Sequence, residues 1–177
     1  MVPGLDLTPD VLTLEEEAAI LACVDESPWR ADLRRRVQHY GYRYDYRARM
    51  VHSDMHLGPM PEWVQEVASF VGSYIPGFMP NQVIINEYCP GQGIGAHIDC
   101  VPCFGPVVAS LSLGCGVPIV FKRGAQVVSR WVPGRSLLSM SGAARWSWTH
   151  EIQARPVDPE TGPRGRRVSL TFRTVDL

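Results

Sequence analysis

His97-Ile98-Asp99, answered much later in the chain by His150, offers two imidazoles and one carboxylate. That donor set fills one face of an octahedral ion and leaves the opposite face open, the arrangement of non-haem Fe(II) oxygenases. Side chains alternate along a strand, so His97 and Asp99 should project the same way while Ile98 points into the opposite layer. As a bare pattern an H-x-D triplet is nonspecific, and the competing reading is a hydrogen-bonded core histidine. Context favours ligands. Gly91, Gly93 and Gly95 leave room before the triplet, and His39, His52 and His56 all precede the β-rich part of the chain, which leaves His97 and His150 as the pair.

A second constellation follows in Arg167-Val-Ser-Leu-Thr-Phe-Arg173. Arg167, Ser169, Thr171 and Arg173 share one face of a strand, and Val168, Leu170 and Phe172 share the other. Two arginines on a buried face need anionic partners, or the fold loses several kcal/mol. A small dicarboxylate would satisfy them, because the planar guanidinium fork matches a carboxylate bidentately. Asn86 and Tyr88, two apart on an earlier strand, add an amide and a phenol to the same interior.

The elements that must carry these groups divide near residue 80. Thr13-Leu-Glu-Glu16 reads as a capping box opening a helix to about Val24. Pro61 suits the first turn of a second helix, whose stripe of Val64, Val67, Ala68, Val71 and Ile75 is core-facing and ends at Pro76-Gly77. From Gln82 the pattern changes to short β-rich runs at about 82–88, 94–99, 107–113, 117–121, 126–132, 136–140, 145–153 and 167–175, parted by turn residues. Strands at this spacing predict a mainly β jelly roll with two N-terminal helices buttressing one outer face, and 158–166 as an exposed loop. A chain of 177 residues suits a single domain with a proper core.

Charge is more informative in its distribution than in its sum of −1. Residues 1–27 carry acids and no lysine or arginine, whereas 30–49 are rich in arginine. In that segment Arg34, Arg35, Arg36, Arg43, Arg47 and Arg49 interleave with Tyr40, Tyr42, Tyr44 and Tyr46, a mixture that grips phosphates and stacks on bases. The plainer alternative is a solvated arginine-rich loop with half-buried tyrosines. Five cysteines form no disulfide framework, and Cys100-Val-Pro-Cys103, a lone CxxC, is read as structural rather than as a zinc or redox site. With no basic-then-apolar leader and no run long enough to span a bilayer, a reducing cytoplasm is expected, with no membrane role.

These motifs in this order resemble the AlkB family of Fe(II)- and 2-oxoglutarate-dependent dioxygenases. The resemblance runs from about Asn81 to Val175 and rests on Asn86-Glu-Tyr88-Cys-Pro-Gly-Gln-Gly-Ile-Gly-Ala-His97-Ile-Asp99, Ser110-Leu-Ser-Leu-Gly114, Met140-Ser-Gly142 through Trp148-Thr-His150, and Arg167 to Arg173. It implies one domain over 1–177, with a double-stranded β-helix core at 81–177 and a helical buttress and nucleotide-recognition lid at 1–80. It implies His97, Asp99 and His150 as iron ligands and as the catalytic set. It implies Asn86, Tyr88, Arg167, Ser169 and Arg173 about 2-oxoglutarate, with Arg173 near its keto-acid end, and O2 as the second co-substrate. Tyr40, Tyr42, Arg43, Tyr44 and Arg47 are the expected substrate contacts.

The activity so implied is oxidative dealkylation of N-alkylated bases in DNA or RNA, with succinate, carbon dioxide and formaldehyde as products and no obligate protein partner. A flipped base would be needed from a duplex. The founding bacterial repair enzymes carry H-x-D-x-D, whereas Val101 stands in the place of the second acid here. The run Glu87 to Ile94 is also similar to the oxygenase domain of tRNA wobble-uridine hydroxylases, so hydroxylation of a modified uridine or of a protein side chain is the alternative. A non-catalytic cupin-like module binding a metal or anion is the third reading.

Overall fold

The structure is a computed structural model that describes residues 1–31 and 33–176. The strands are β1 (Leu5–Thr8), β2 (Val37–Tyr40), β3 (Gln82–Tyr88), β4 (Ile94–His97), β5 (Phe104–Gly114), β6 (Val117–Arg123), β7 (Gln126–Val132), β8 (Ser136–Met140), β9 (Thr149–Ile152), β10 (Val157–Asp158), β11 (Gly162–Pro163) and β12 (Arg167–Val175). The helices are α1 (Leu14–Glu26), α2 (Glu62–Ser73) and α3 (Gly142–Trp146). A six-stranded antiparallel sheet runs β1-β8-β5-β12-β3-β2 and a four-stranded one runs β4-β9-β6-β7. Together they form the jelly roll of the sequence expectation.

Helix α1 opens on the capping box: the Glu16 N–H donates to Thr13 Oγ1 at 3.1 Å, and the Thr13 N–H to Glu16 Oε2 at 2.7 Å. Both helices bury their apolar faces against the larger sheet, where Val24, Val64, Val67 and Val71 meet Val83, Ile85, Leu111, Val168, Leu170 and Phe172. Alternation on β12 then turns Arg167, Ser169, Thr171 and Arg173 to the opposite face, where they line a cavity between the sheets. Register places Arg167 opposite Tyr88 and Ser169 opposite Asn86 on β3, so the two polar sets lie side by side. Farther in, Val117, Ile119, Phe121, Val132, Leu138 and Trp148 fill the rest of the inter-sheet space.

Three local expectations are corrected, and two short strands appear that no expectation named. The run 145–153 is split, because residues 142–146 turn into α3 before β9 begins. Strand β4 ends at His97, so Asp99 lies two residues beyond it, and Ile98 lines the cavity instead of pointing to the far layer. Strands β1 and β2 are four residues each, too short for a periodic signal. The 158–166 loop belongs to a small hairpin of β10 and β11, tied by the buried Arg164–Asp158 pair at 2.6 and 2.7 Å. No helix among the described residues is long and apolar enough to cross a membrane.

Candidate metal and co-substrate site

His97 and His150 are directly opposed residues of β4 and β9, with ring centroids 4.4 Å apart. This close pairing depends on Gly93, because a Cβ there would collide with the Ile152 carbonyl of β9. Asp99 follows from the end of β4, and one potential ligand atom from each of the three residues lies within 4.8 Å of the others. His97 Nδ1 is 2.8 Å from the Gly95 carbonyl, so it carries the proton and Nε2 keeps its lone pair for a ligand.

Asp99 is 6% exposed. One of its oxygens, Oδ1, accepts from Arg173 Nε at 2.8 Å, while Oδ2 faces His150 Nε2 at 3.5 Å. Burial pushes this carboxyl up, but Arg173, His150 and His97 outweigh it and hold the group well below the ordinary carboxylate range. Burial pushes His150 down to about 4, with Asp99 opposing and His97 and Arg173 assisting. The result is an ionised carboxylate beside a neutral imidazole, the protonation states that metal ligation requires.

The cavity above these residues measures about 310 Å³. Arg167 is 4% exposed, donates Nη2 to Ser112 Oγ at 2.8 Å, and has its guanidinium carbon 5.5 Å from the centre of the Tyr88 ring. Its Nε and Nη1 are buried without a hydrogen-bond partner. Orphaned cationic donors on a cavity wall call for an anion. Asn86 stands beside them with its Oδ1 accepting from Arg35 Nε at 2.9 Å. Since arginine only donates, the Asn86 amide must turn its oxygen to Arg35, which leaves its NH2 as a further donor. Ser169 is committed to Ser110, with 2.8 Å between the hydroxyls.

The segment before α2, a strap that includes Arg35, Tyr44, Tyr46 and Arg49, contributes part of the cavity wall. Of the five expected substrate contacts only Tyr44 lines the cavity. Tyr40 packs its ring on Trp63 at 5.7 Å, and its hydroxyl donates to Gln38. Tyr42 lies against His56 at 4.9 Å, and Arg43 and Arg47 face solvent. Arg35, Tyr46 and Arg49, not singled out individually from sequence, join Tyr44 in the cavity wall. They share the arginine- and tyrosine-rich composition that marked the segment, but loop residues carry no period from which to tell which ones turn inward.

Beside Asp99, Cys100 and Cys103 are joined in a disulfide across a Cα–Cα distance of 5.3 Å, well inside bonding reach. A bonded pair was not expected in a reducing setting, and it takes both sulfurs out of contention as metal ligands.

Residues 4–173 match the model of the 2OG-Fe(II) oxygenase superfamily. The "Alkylated DNA repair protein ALKBH8 homolog" of Arabidopsis thaliana is 34% identical over 98% of this chain and 59% of its own length. The "tRNA (carboxymethyluridine(34)-5-O)-methyltransferase ALKBH8" of Macaca fascicularis is also 34% identical, over 98% of this chain and 30% of its own. The human "Alpha-ketoglutarate-dependent dioxygenase alkB homolog 4" is 30% identical over 98% of this chain and 67% of its own. The chain therefore spans well under two thirds of several of the curated relatives it matches. Among solved structures, that of OsALKBH1 superposes with a TM-score of 0.72 at 20% identity, covering 98% of both chains. The chain belongs to the 2OG-Fe(II) oxygenase superfamily and, within it, to the AlkB family. Membership in the family and the His97, Asp99 and His150 cluster support an Fe(II)- and 2-oxoglutarate-dependent dioxygenase that uses O2.

Proposed function

We propose that this dioxygenase removes alkyl groups from N-alkylated bases of DNA or RNA, with residues 1–177 acting as one catalytic domain in the cytoplasm. The observation that carries the reading is the juxtaposition of Tyr44, Tyr46, Arg35 and Arg49 at one wall of the cavity with the His97, Asp99 and His150 cluster at another. Aromatic faces beside cations suit a base and its phosphate. Tyr44 and Tyr46 stand edge to face at 5.1 Å, and the Tyr46 hydroxyl pairs with His39 Nε2 at 3.1 Å, so both rings are braced.

In this reading His97 Nε2, Asp99 Oδ2 and His150 Nε2 hold Fe(II). Arg167, with the Asn86 amide and the Tyr88 phenol, takes the remote carboxylate of 2-oxoglutarate. When bound, iron would let O2 act as a four-electron oxidant, two electrons coming from 2-oxoglutarate as it becomes succinate and carbon dioxide and two from a C–H bond that is thereby hydroxylated. Arg173 keeps Asp99 ionised and fixes which oxygen it presents. Tyr44 and Tyr46 hold the base so that its alkyl group, rather than a side chain of the cavity, is the nearest oxidisable C–H. The hydroxylated N-alkyl carbon then leaves as an aldehyde without further help from the chain.

A panel of N-methylated DNA and RNA oligomers, incubated with Fe(II) and 2-oxoglutarate and read by mass, tests this. Loss of one methylene's mass with matching succinate is expected, and no mass loss on any methylated oligomer would refute dealkylation. A second reading is hydroxylation of a tRNA uridine side chain. It is favoured by Val101, 54% exposed at the place where the founding repair enzymes carry an acid, and by the tRNA substrate in the macaque relative's name. Gain of one oxygen on tRNA would select it.

A further inference from the structure

Arg145 on α3 is 2% exposed, one of the most completely enclosed side chains in the protein. Its hydrogen bonds go to main-chain carbonyls alone. Nε donates to Gly105 at 3.1 Å and Nη1 to Asp99 at 3.0 Å. Nη2 donates to Cys100 at 3.2 Å and to Phe104 at 3.1 Å. All four acceptors belong to the single turn that leaves Asp99 and enters β5.

Burying a guanidinium without a hydrogen-bonded carboxylate is unfavourable, and it persists where the surrounding groups are all satisfied by it. The turn needs such a partner. Its internal main-chain bonds are two, from the Cys103 and Phe104 N–H groups, and both converge on the Cys100 carbonyl at 3.3 and 3.2 Å. The Asp99 carbonyl takes part in neither of them, and Arg145 supplies it with a donor. A planar fork of donors can gather several carbonyls at once, which a lysine ammonium with three donors does less completely. Trp146 lies 4.1 Å from the guanidinium carbon and closes it off.

Two of the four contacts lead to the metal cluster. The Asp99 carbonyl belongs to the residue whose Oδ2 faces His150. The Phe104 carbonyl belongs to the residue whose ring lies 4.8 Å from the guanidinium carbon of Arg173, the partner of Asp99 Oδ1. Arg145 therefore grips both the backbone that aims the carboxylate and the platform under the cation that holds it.

We propose that Arg145 is a positioning residue of the metal centre, which sets the direction of the Asp99 carboxylate by gathering the carbonyls of turn 99–105. This rests on reading Asp99 as a metal ligand. Groups that orient ligands typically change metal affinity by about 10- to 100-fold when removed.

The test is calorimetric titration of the protein with Mn2+, a redox-stable stand-in for Fe(II), alongside thermal unfolding of the metal-free protein. Arg145→Met, which keeps bulk and loses every donor, should weaken Mn2+ binding by about 10- to 100-fold, and Arg145→Lys should recover part of that loss. A fall in Tm with Mn2+ affinity unchanged would mean a purely structural role and overturn the proposal. If Arg145→Met does not fold, Arg145→Lys decides alone: weaker Mn2+ binding supports positioning, and wild-type affinity overturns it. Asp99→Ala separates the two levels. Were it to bind Mn2+ normally, the ligand reading itself fails; were it to lose binding while the Arg145 variants keep theirs, only the positioning role fails.

Discussion

Replacing Arg167 by Met should separate binding from stability in an unusual direction. Arg167 buries two donors that meet no acceptor within the protein itself. Each costs about 1–3 kcal/mol. Against this stand one charged bond to Ser112 Oγ at 2.8 Å, contributing about 1.5–3 kcal/mol, and the approach to the Tyr88 ring, contributing about 0.5–2 kcal/mol. The opposing contributions nearly cancel, so the Met variant should unfold within about 2–4 °C of the parent. Co-substrate binding behaves differently. Two charge-assisted bonds to a carboxylate amount to about 3–6 kcal/mol, roughly a hundred- to ten-thousand-fold in affinity. The assay is thermal unfolding with and without 2-oxoglutarate in the presence of Mn2+, together with direct titration of 2-oxoglutarate. The reasoning is refuted by a metal-free Tm about 6–20 °C lower, as breaking an already paired buried charge would give. It is equally refuted by a 2-oxoglutarate affinity that survives the substitution.

Three other predictions address the metal, the strap and its root. Mn2+ at a hundred times its Kd should stabilise the protein by about 2.7 kcal/mol, and His150→Ala should abolish that shift; a shift of the same size in the variant would exclude His150 as a ligand. Tyr46→Ala should raise KM for a methylated oligomer by about 5- to 150-fold, the worth of one stacked base, while 2-oxoglutarate binding stays normal; steady-state succinate release at varied oligomer concentration measures it. Glu87, tied to Arg36 at 2.7 and 2.9 Å and to Arg166 at 2.7 Å, has its carboxyl held below the ordinary value of 4.5, chiefly by Arg36 against the opposing effect of burial. Its contribution is present above that ordinary value and is lost as pH falls below it. Glu87→Gln should therefore lower stability at neutral pH and flatten the acid limb of a denaturation profile; an unchanged limb would show that the pair contributes nothing there.

The strap root also shows how the two halves of the chain cooperate. Arg35 turns into the cavity to Asn86 while its neighbour Arg36 turns outward to Glu87, so consecutive arginines clamp the start of the strap to consecutive residues of β3. Arg166 extends the outer network to Asp25 at the end of α1. The start of the strap and the Arg167 side of the cavity thus share strand β3, and the buttressing helix is tied to the same network.

What could be read from the amino acids alone was whatever repeats along a regular element or depends on neighbours in the chain. The capping box at Thr13, the core stripe of α2 and the two faces of β12 all followed from helical or strand periodicity, and so did the pairing of Asn86 with Tyr88. The types and order of His97, Asp99, His150 and Arg167 suggested an iron site with an anion clamp, and the longer motifs around them carried the resemblance to the AlkB family. Folding alone decided which oxygen of Asp99 goes to Arg173, that Arg145 is enclosed beneath the turn at 99–105, and that Arg35, Tyr46 and Arg49 face the cavity while Tyr40, Arg43 and Arg47 do not. Those outcomes are contacts between residues far apart in the chain or orientations within loops. No local period encodes them, and they are settled by which buried donors and carbonyls must find one another once the sheets have closed.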